Sequence, residues 1–94
     1  MIRNVRLSRS AERDLLRLNL FLATKSPSAA RKALERVAAG LKSLESFAER
    51  GRAAGNPAFR ELTIRFGRDG YVAQYRVEAA IVVVARIFHS REFR

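Results

Sequence analysis

His89 is the residue of this sequence best suited to acid–base chemistry, because imidazole titrates near neutral pH and the chain has one histidine. It follows a run of apolar residues that is typical of a strand. Cleavage of RNA through its 2′-hydroxyl needs a base, an acid and cations that stabilise the charge developing on the phosphate. His89 could act as the base or acid, and five arginines could be the cations: Arg60, Arg65, Arg76, Arg86 and Arg91. Alternatively, His89 ends its strand or contacts a partner protein.

These arginines also have a structural interpretation. Arg65 and Arg76 share the solvent-facing side of neighbouring predicted strands, and Arg86 joins them if the strands form an antiparallel meander. Such a basic surface would bind phosphate groups or a target protein. Alternatively, the side chains are simply solvated, with Arg76 and Arg86 paired to Glu61 or Glu78.

The overall charge favours a polyanionic partner. The 94 residues carry 19 Lys and Arg against 9 Asp and Glu, which gives a net charge of +10. Nucleic acid or an acidic protein is the expected ligand of such a chain. With no cysteine and one histidine, we expect no disulfide and no metal site. No organic cofactor is expected either. Uncharged runs fall far short of the roughly twenty residues of a membrane span, so we expect a cytoplasmic protein.

The elements that position these residues follow from hydrophobic periodicity and turn signals. In order, they are a strand at 2–7, a helix from a Ser8 or Ser10 cap to Leu22, a helix from Ser26-Pro27 to Phe47, a loop at 49–58, and strands at 59–66, 71–77 and 81–88. The last strand is apolar on both faces, so we expect it inside the sheet. The order β-α-α-β-β-β predicts one α+β domain over residues 1–94, with a helical hairpin packed on one face of a mostly antiparallel sheet.

Short motifs recur along the chain. The second half contains Arg60-Glu61-Leu62-Thr63-Ile64, Phe66-Gly67, Gly70-Tyr71-Val72, Tyr75-Arg76 and His89-Ser90-Arg91-Glu92. The first half adds a looser Ser-x-x-Ala-x-x-Asp-Leu pattern, formed by Ser8, Ala11, Asp14 and Leu15. Together these motifs resemble the RelE/ParE superfamily of bacterial toxins, most closely its ParE-type members.

The resemblance implies a toxin of a type II toxin–antitoxin system, of the plasmid-stabilisation type, bound by a small ParD-like antitoxin in a heteromeric complex. ParE-like members poison DNA gyrase and are not known as enzymes, and this is the expected activity. RelE-like members cut messenger RNA on the ribosome, which is the alternative and would make His89 an acid or base. RelE-type sites usually combine several lysines with arginine, whereas the second half here has no lysine. A second alternative is an inactive relative that retains antitoxin binding.

The resemblance also raises the question of where an antitoxin binds. The second helix is rich in alanine, and a groove at Ala33, Val37 and Ala39 could take an antitoxin helix. Close packing within the protein explains the same small residues equally well. Phe93, near the end of the chain, is a further expected antitoxin contact.

Overall fold

The computed structural model describes residues 2–92, which form two helices and five strands. The elements are β1 (Asn4–Leu7), α1 (Arg9–Ala23), α2 (Pro27–Ser43), β2 (Arg52–Ala53), β3 (Arg60–Phe66), β4 (Asp69–Val77) and β5 (Ile81–His89). The predicted α+β class is confirmed. The short strand β2 lies within the predicted 49–58 loop, which is therefore not entirely irregular. Within residues 2–92, neither helix is long and apolar enough to cross a membrane.

The five strands form one sheet in the order β1-β5-β4-β3-β2. β5 pairs in parallel with β1 and antiparallel with β4, so the strand expected inside the sheet does lie there. β3 and β4 form a hairpin whose turn is Gly67-Arg68, because Phe66 already pairs with Asp69. Gly67 has a φ of 63°, a conformation that glycine adopts without steric cost. β4 therefore begins before the predicted Tyr71.

Both helices begin where serine can cap them. The Ser8 Oγ accepts a hydrogen bond from the backbone N–H of Ala11 at 3.0 Å. The Ser26 Oγ accepts one from Ala29 at 3.1 Å, and Pro27 occupies the first turn of α2. These bonds satisfy backbone donors that have no partner within the helix.

α2 ends at Ser43, earlier than the predicted Phe47. The backbone N–H of Leu44 bonds to the carbonyl of Leu41, which tightens the last turn. The chain then bends back toward the sheet. Leu44 and Ala48, on either side of this bend, are both completely buried.

The helices cover one face of the sheet, α1 against β5 and α2 against β3. A β-bulge in β5 determines which side chains face them. Gln74 pairs with Arg86 and Tyr75 pairs with Val84, so Ala85 is an extra residue. Beyond Ala85 the alternation is reversed, and Val84 and Ile87 both lie in the core. Regular alternation would place these two residues on opposite faces, so the bulge is what brings both into the core.

Candidate functional site

An open groove of about 570 Å³ lies between α1 and the adjoining ends of β3, β4 and β5. We call it the histidine groove, because His89 is one of its lining residues. Its apolar side chains include Leu18, Phe21, Leu22, Phe66 and Tyr71, and its charged rim includes Arg17, Arg68, Asp69, Arg91 and Glu92. Phe21 is 62% exposed, so its ring is available to a partner at the groove.

His89 lies on the helix side of the sheet, since it pairs with the buried Tyr71 of β4. The two rings meet edge to face, with centroids 5.7 Å apart and an interplanar angle of 88°. The His89 Nδ1 accepts a hydrogen bond from the backbone N–H of Arg91 at 3.2 Å. Its own backbone N–H donates to the Glu92 Oε1 at 2.7 Å. The imidazole is therefore packed, and one of its two nitrogens is already bonded.

Three of the predicted arginines lie on the opposite, solvent-facing side of the sheet. We call this side, with Arg65, Arg76 and Arg86, the arginine face. Directly paired residues of neighbouring strands lie on the same face of the sheet. Arg86 pairs with Gln74 and Arg65 pairs with Gly70, and these two partners lie on the same face of β4. Arg76 is paired to Glu78 at 2.7 Å. The described residues supply no ion pair to Arg65.

The arginine face includes a residue that the sequence analysis did not single out. Arg6 of β1 is exposed and lies opposite Val83, which in turn lies opposite Arg76. The alternation of residues 2–7 was the available signal, but the partner of β1 could not be read from it. The parallel pairing with β5 is what brings Arg6 to this face.

Arg60 has a different role from the other arginines. It shares the helix side of the sheet with Tyr75, its partner in β4. Its Nη1 donates to the carbonyls of Glu49 and Gly51 at 3.2 and 2.9 Å. These bonds anchor the segment that leads into β2, so Arg60 is a structural cation here.

Arg91 is the one predicted arginine on the rim of the histidine groove. It is bonded to Asp69 at 2.9 Å, and its side chain is largely exposed. On the other side of the groove, the Arg17 Nη1 donates to Glu92 at 2.9 Å. The structure thus brings His89 together with Arg91, but not with Arg65, Arg76 or Arg86.

Asp14 joins α1 to β5, a role that its place in the Ser-x-x-Ala-x-x-Asp-Leu motif does not reveal. Its carboxylate is buried and bonds to the Arg86 Nε at 2.7 Å and Nη2 at 3.0 Å. Burial raises the pKa of Asp14, but hydrogen bonds from Arg86 and from the backbone N–H of Ile87 outweigh it and hold the pKa below its usual value. The bond to Asp14 also raises the pKa of Arg86.

The predicted antitoxin contacts on α2 lie in two different environments, the core and an exposed groove. Ala33 and Val37 are 4% and 2% exposed and pack within the core, which matches the close-packing interpretation. Ala39 is exposed and lines a second groove, of about 580 Å³, between α2 and β3. We call this second groove the edge groove. Phe93 lies outside the described residues.

The described residues contain no group of three or more His, Asp or Glu side chains that could hold a metal ion. Within residues 2–92, the histidine groove and the edge groove are each lined by both apolar and basic side chains. Such surfaces suit contacts with another protein better than they suit an enclosed small molecule.

Known proteins share the fold of this chain and also its sequence family. A chain of the "Chromosomal ParDE TA system from P. aeruginosa" has the same fold, with a TM-score of 0.79 over 96% of this chain and 98% of that chain at 24% identity. The sequence model described as "ParE toxin of type II toxin-antitoxin system, parDE" matches residues 5–93. The chain therefore belongs to the ParE toxin family, and the resemblance noted in its motifs is confirmed.

Two toxins of Caulobacter vibrioides are similar to this chain along its length. "Toxin RelE3" is 40% identical over 93 residues, which cover 99% of this chain and 100% of the relative. "Toxin RelE1" is 40% identical over 90 residues, which cover 96% of each. The protein is thus a toxin of a type II toxin–antitoxin system, and membership of this family implies a cognate antitoxin.

Proposed function

We propose that this toxin acts in the cytoplasm on DNA gyrase, through a protein contact, and that the antitoxin prevents this contact. The observation that carries the proposal is the charge arrangement around His89. Arg65, Arg76 and Arg86 lie on the opposite side of the sheet. Of the arginines on the groove rim, Arg17 and Arg91 are already paired to the carboxylates of Glu92 and Asp69. A nuclease would need an acid or base and several cations around one phosphate. A toxin that binds a protein target needs only an exposed complementary surface.

The histidine groove is the surface that we assign to the gyrase contact. Its apolar lining and basic rim have the composition of a protein-docking site, in which aromatic and arginine side chains contribute most. Phe21 is the most accessible aromatic residue of the groove, and the Lys25 Nζ lies 4.5 Å from its ring centroid. Removing its side chain would change the docking surface without opening the core.

The first experiment incubates the purified toxin with gyrase, ATP and supercoiled plasmid, followed by detergent and protease to reveal protein-linked breaks. We expect linear DNA to accumulate and to disappear when antitoxin is added. Phe21→Ala should reduce the breaks by about tenfold, the effect of losing a moderate interface contact. The matched control is Phe47→Ala, which removes an equally exposed phenylalanine, 66% accessible, outside the groove. If gyrase does not respond to a folded, antitoxin-competent toxin, the proposal is refuted.

A second candidate function, ribosome-dependent RNA cleavage, is favoured by the two relatives named RelE toxins and by the arginine face. Arg6 and Arg65 are exposed there and could contact phosphates. Translating ribosomes with the toxin would then yield cleaved messenger RNA. Arg65→Ala should also reduce the salt dependence of RNA binding by about one counterion. An unchanged salt dependence would count against this function. A protein that affects neither gyrase nor ribosomes but binds antitoxin would be the inactive relative.

A further inference from the structure

The centre of the arginine face offers solvent little apolar surface. Val72 and Phe88 pair with each other across β4 and β5 on this side of the sheet, and they are only 4% and 9% exposed. The Arg86 Cζ lies 4.7 Å from the Phe88 ring centroid, so the guanidinium covers the ring. A protein partner needs exposed apolar side chains at the middle of its contact, and a single nucleic-acid strand needs aromatic rings on which its bases stack. The buried pair supplies neither.

The cations of the arginine face are available to an anion. Arg6 and Arg65 are exposed, and within the described residues neither makes an ion pair. Arg76 is paired to Glu78, but the two side chains are 42% and 45% exposed, and such a surface pair contributes little free energy. Arg76 can therefore turn to another anion at low cost. Glu61, a second carboxylate on this side of the sheet, has a side chain that is only 14% exposed.

These three arginines are spread across the sheet rather than gathered around one point. Arg6 and Arg76 both pair with Val83, so two strand spacings, about 10 Å, separate them. Arg65 lies opposite Gly70, and the six residues from Gly70 to Arg76 extend about 20 Å along β4. One small anion cannot reach all three side chains. A nucleic-acid backbone can, because it carries a phosphate about every 3.4 Å along each strand.

We propose that the arginine face binds the phosphate backbone of duplex DNA through Arg6, Arg65 and Arg76. A duplex keeps its bases stacked inside and presents its phosphates outward, which suits a basic sheet surface without a stacking ring. The inference rests on the proposed function in one respect, since gyrase supplies the duplex. His89 and its groove lie on the opposite side of the sheet, so a toxin bound to gyrase there still presents the arginine face to DNA.

The test measures binding of the full chain to a short fluorescent DNA duplex by anisotropy, between about 50 and 200 mM salt. Three phosphate contacts should give a slope of about −2.7 for the logarithm of affinity against the logarithm of salt concentration. The double variant Arg6→Gln, Arg65→Gln should reduce that slope to about −0.9, since two contacts are lost. Circular dichroism checks that the variant is folded.

The matched control is the double variant Arg31→Gln, Lys32→Gln. It removes the same charge from two exposed residues of α2, in the helical layer on the other side of the sheet. Its slope should stay close to that of wild type. Equal losses in the two double variants would overturn the inference, because binding would then follow the net charge of +10 rather than the arginine face.

Two further measurements identify the ligand and the surface. Single-stranded RNA of the same length should bind about tenfold more weakly than the duplex, a loss equivalent to about one stacked base. In NMR spectra, the amide signals that shift on addition of duplex should include Arg6, Arg65 and Arg76 but not His89. Tighter binding of the RNA than of the duplex, or shifts centred on His89, would each overturn the inference.

The same samples are tested with gyrase and supercoiled plasmid. The variant of Arg6 and Arg65 should need about tenfold more toxin to give the same level of breaks, the effect of a moderate contact, whereas the α2 control should match wild type. DNA binding at the arginine face without gyrase poisoning refutes the proposed target alone. Gyrase poisoning by a toxin that does not bind the duplex refutes this inference alone.

Discussion

Asp14 and Arg86 form an ion pair with two contacts, of 2.7 and 3.0 Å, that joins α1 to β5 across 72 residues of sequence. The same carboxylate accepts the backbone N–H of Ile87 at 2.9 Å, two residues after the extra residue Ala85. Asp14 therefore holds α1 against the bulge. The bulge directs Ile87 and His89 to the helix side, and the ion pair lies beside it.

Asp14→Ala should lower the free energy of unfolding by about 2–4 kcal/mol, since it leaves the Ile87 N–H unpaired in a buried position and Arg86 without its partner. Urea denaturation monitored by circular dichroism measures the change. The control is Glu35→Ala, which removes an exposed carboxylate from α2 and should cost less than about 0.5 kcal/mol. Equal effects of the two substitutions would show that the Asp14 pair does not stabilise the fold.

The contribution of Asp14 to the free energy of unfolding should also depend on pH. Because the folded protein holds the pKa of Asp14 below its usual value, the charged form is stabilised by folding. That stability is fully present above about pH 4, the unfolded pKa, and is lost as the pH falls through the lower folded pKa. Wild type should therefore lose stability relative to Asp14→Asn as the pH falls below about 4. A stability difference that stays constant over this range, measured by urea denaturation, would contradict the argument.

Tyr75 joins the sheet to the segment after α2 through its hydroxyl group. The hydroxyl donates to the Ala48 carbonyl at 2.7 Å and accepts the Gly51 N–H at 2.9 Å, both buried. Tyr75→Phe should cost about 1–3 kcal/mol, because both backbone groups lose their partner. Tyr71→Phe is the matched control, since within residues 2–92 its hydroxyl makes no comparable bond, and it should cost less than about 0.5 kcal/mol. Thermal unfolding of the two variants gives the comparison.

Gly40 lies where α2 packs closely against Ile64 of β3. A Cβ at this position would lie 2.8 Å from the Ile64 Cγ1, too close for normal contact. Gly40→Ala should therefore destabilise the fold by about 1–2 kcal/mol, although alanine favours helix more than glycine does. Gly55→Ala is the control, because a Cβ there meets nothing within 4 Å. Stabilisation of both variants in urea denaturation would mean that α2 can move away from the sheet.

His89→Phe separates the packing role of the histidine from acid–base chemistry. A phenyl ring can still meet Tyr71 edge to face, but it cannot transfer a proton. Because His89 also lines the groove assigned to gyrase, the gyrase proposal predicts a loss of growth inhibition of at most about tenfold, the effect of one contact. Loss of a general acid or base reduces rates by about 10²–10⁴. Colony counts after induced expression, with antitoxin binding as the control for folding, measure the outcome. Complete loss of toxicity with antitoxin binding retained would favour the nuclease.

Much of the fold was predictable because its signals are local. Serine caps at Ser8 and Ser26 act on backbone groups within a few residues, and strand alternation placed Leu62 and Ile64 on one face. The apolar character of β5 on both faces was sufficient to predict its interior position. The candidate site was less predictable, because the face on which His89 lies depends on a bulge at Ala85 that alternation does not reveal.

By itself, the sequence determined the order of the elements, their α+β class, the basic charge of the protein and its membership of a toxin family. Only the tertiary structure decided that β1 runs parallel to β5 and that Asp14 bonds to Arg86. It also decided that His89 is separated from Arg65 and Arg76, and that the edge of β3 stays open beyond Glu61. The physical reason is the separation along the sequence over which each interaction acts. Caps, turns and periodicity involve residues close in sequence, whereas strand pairing and buried ion pairs depend on which distant parts of the chain meet when it packs.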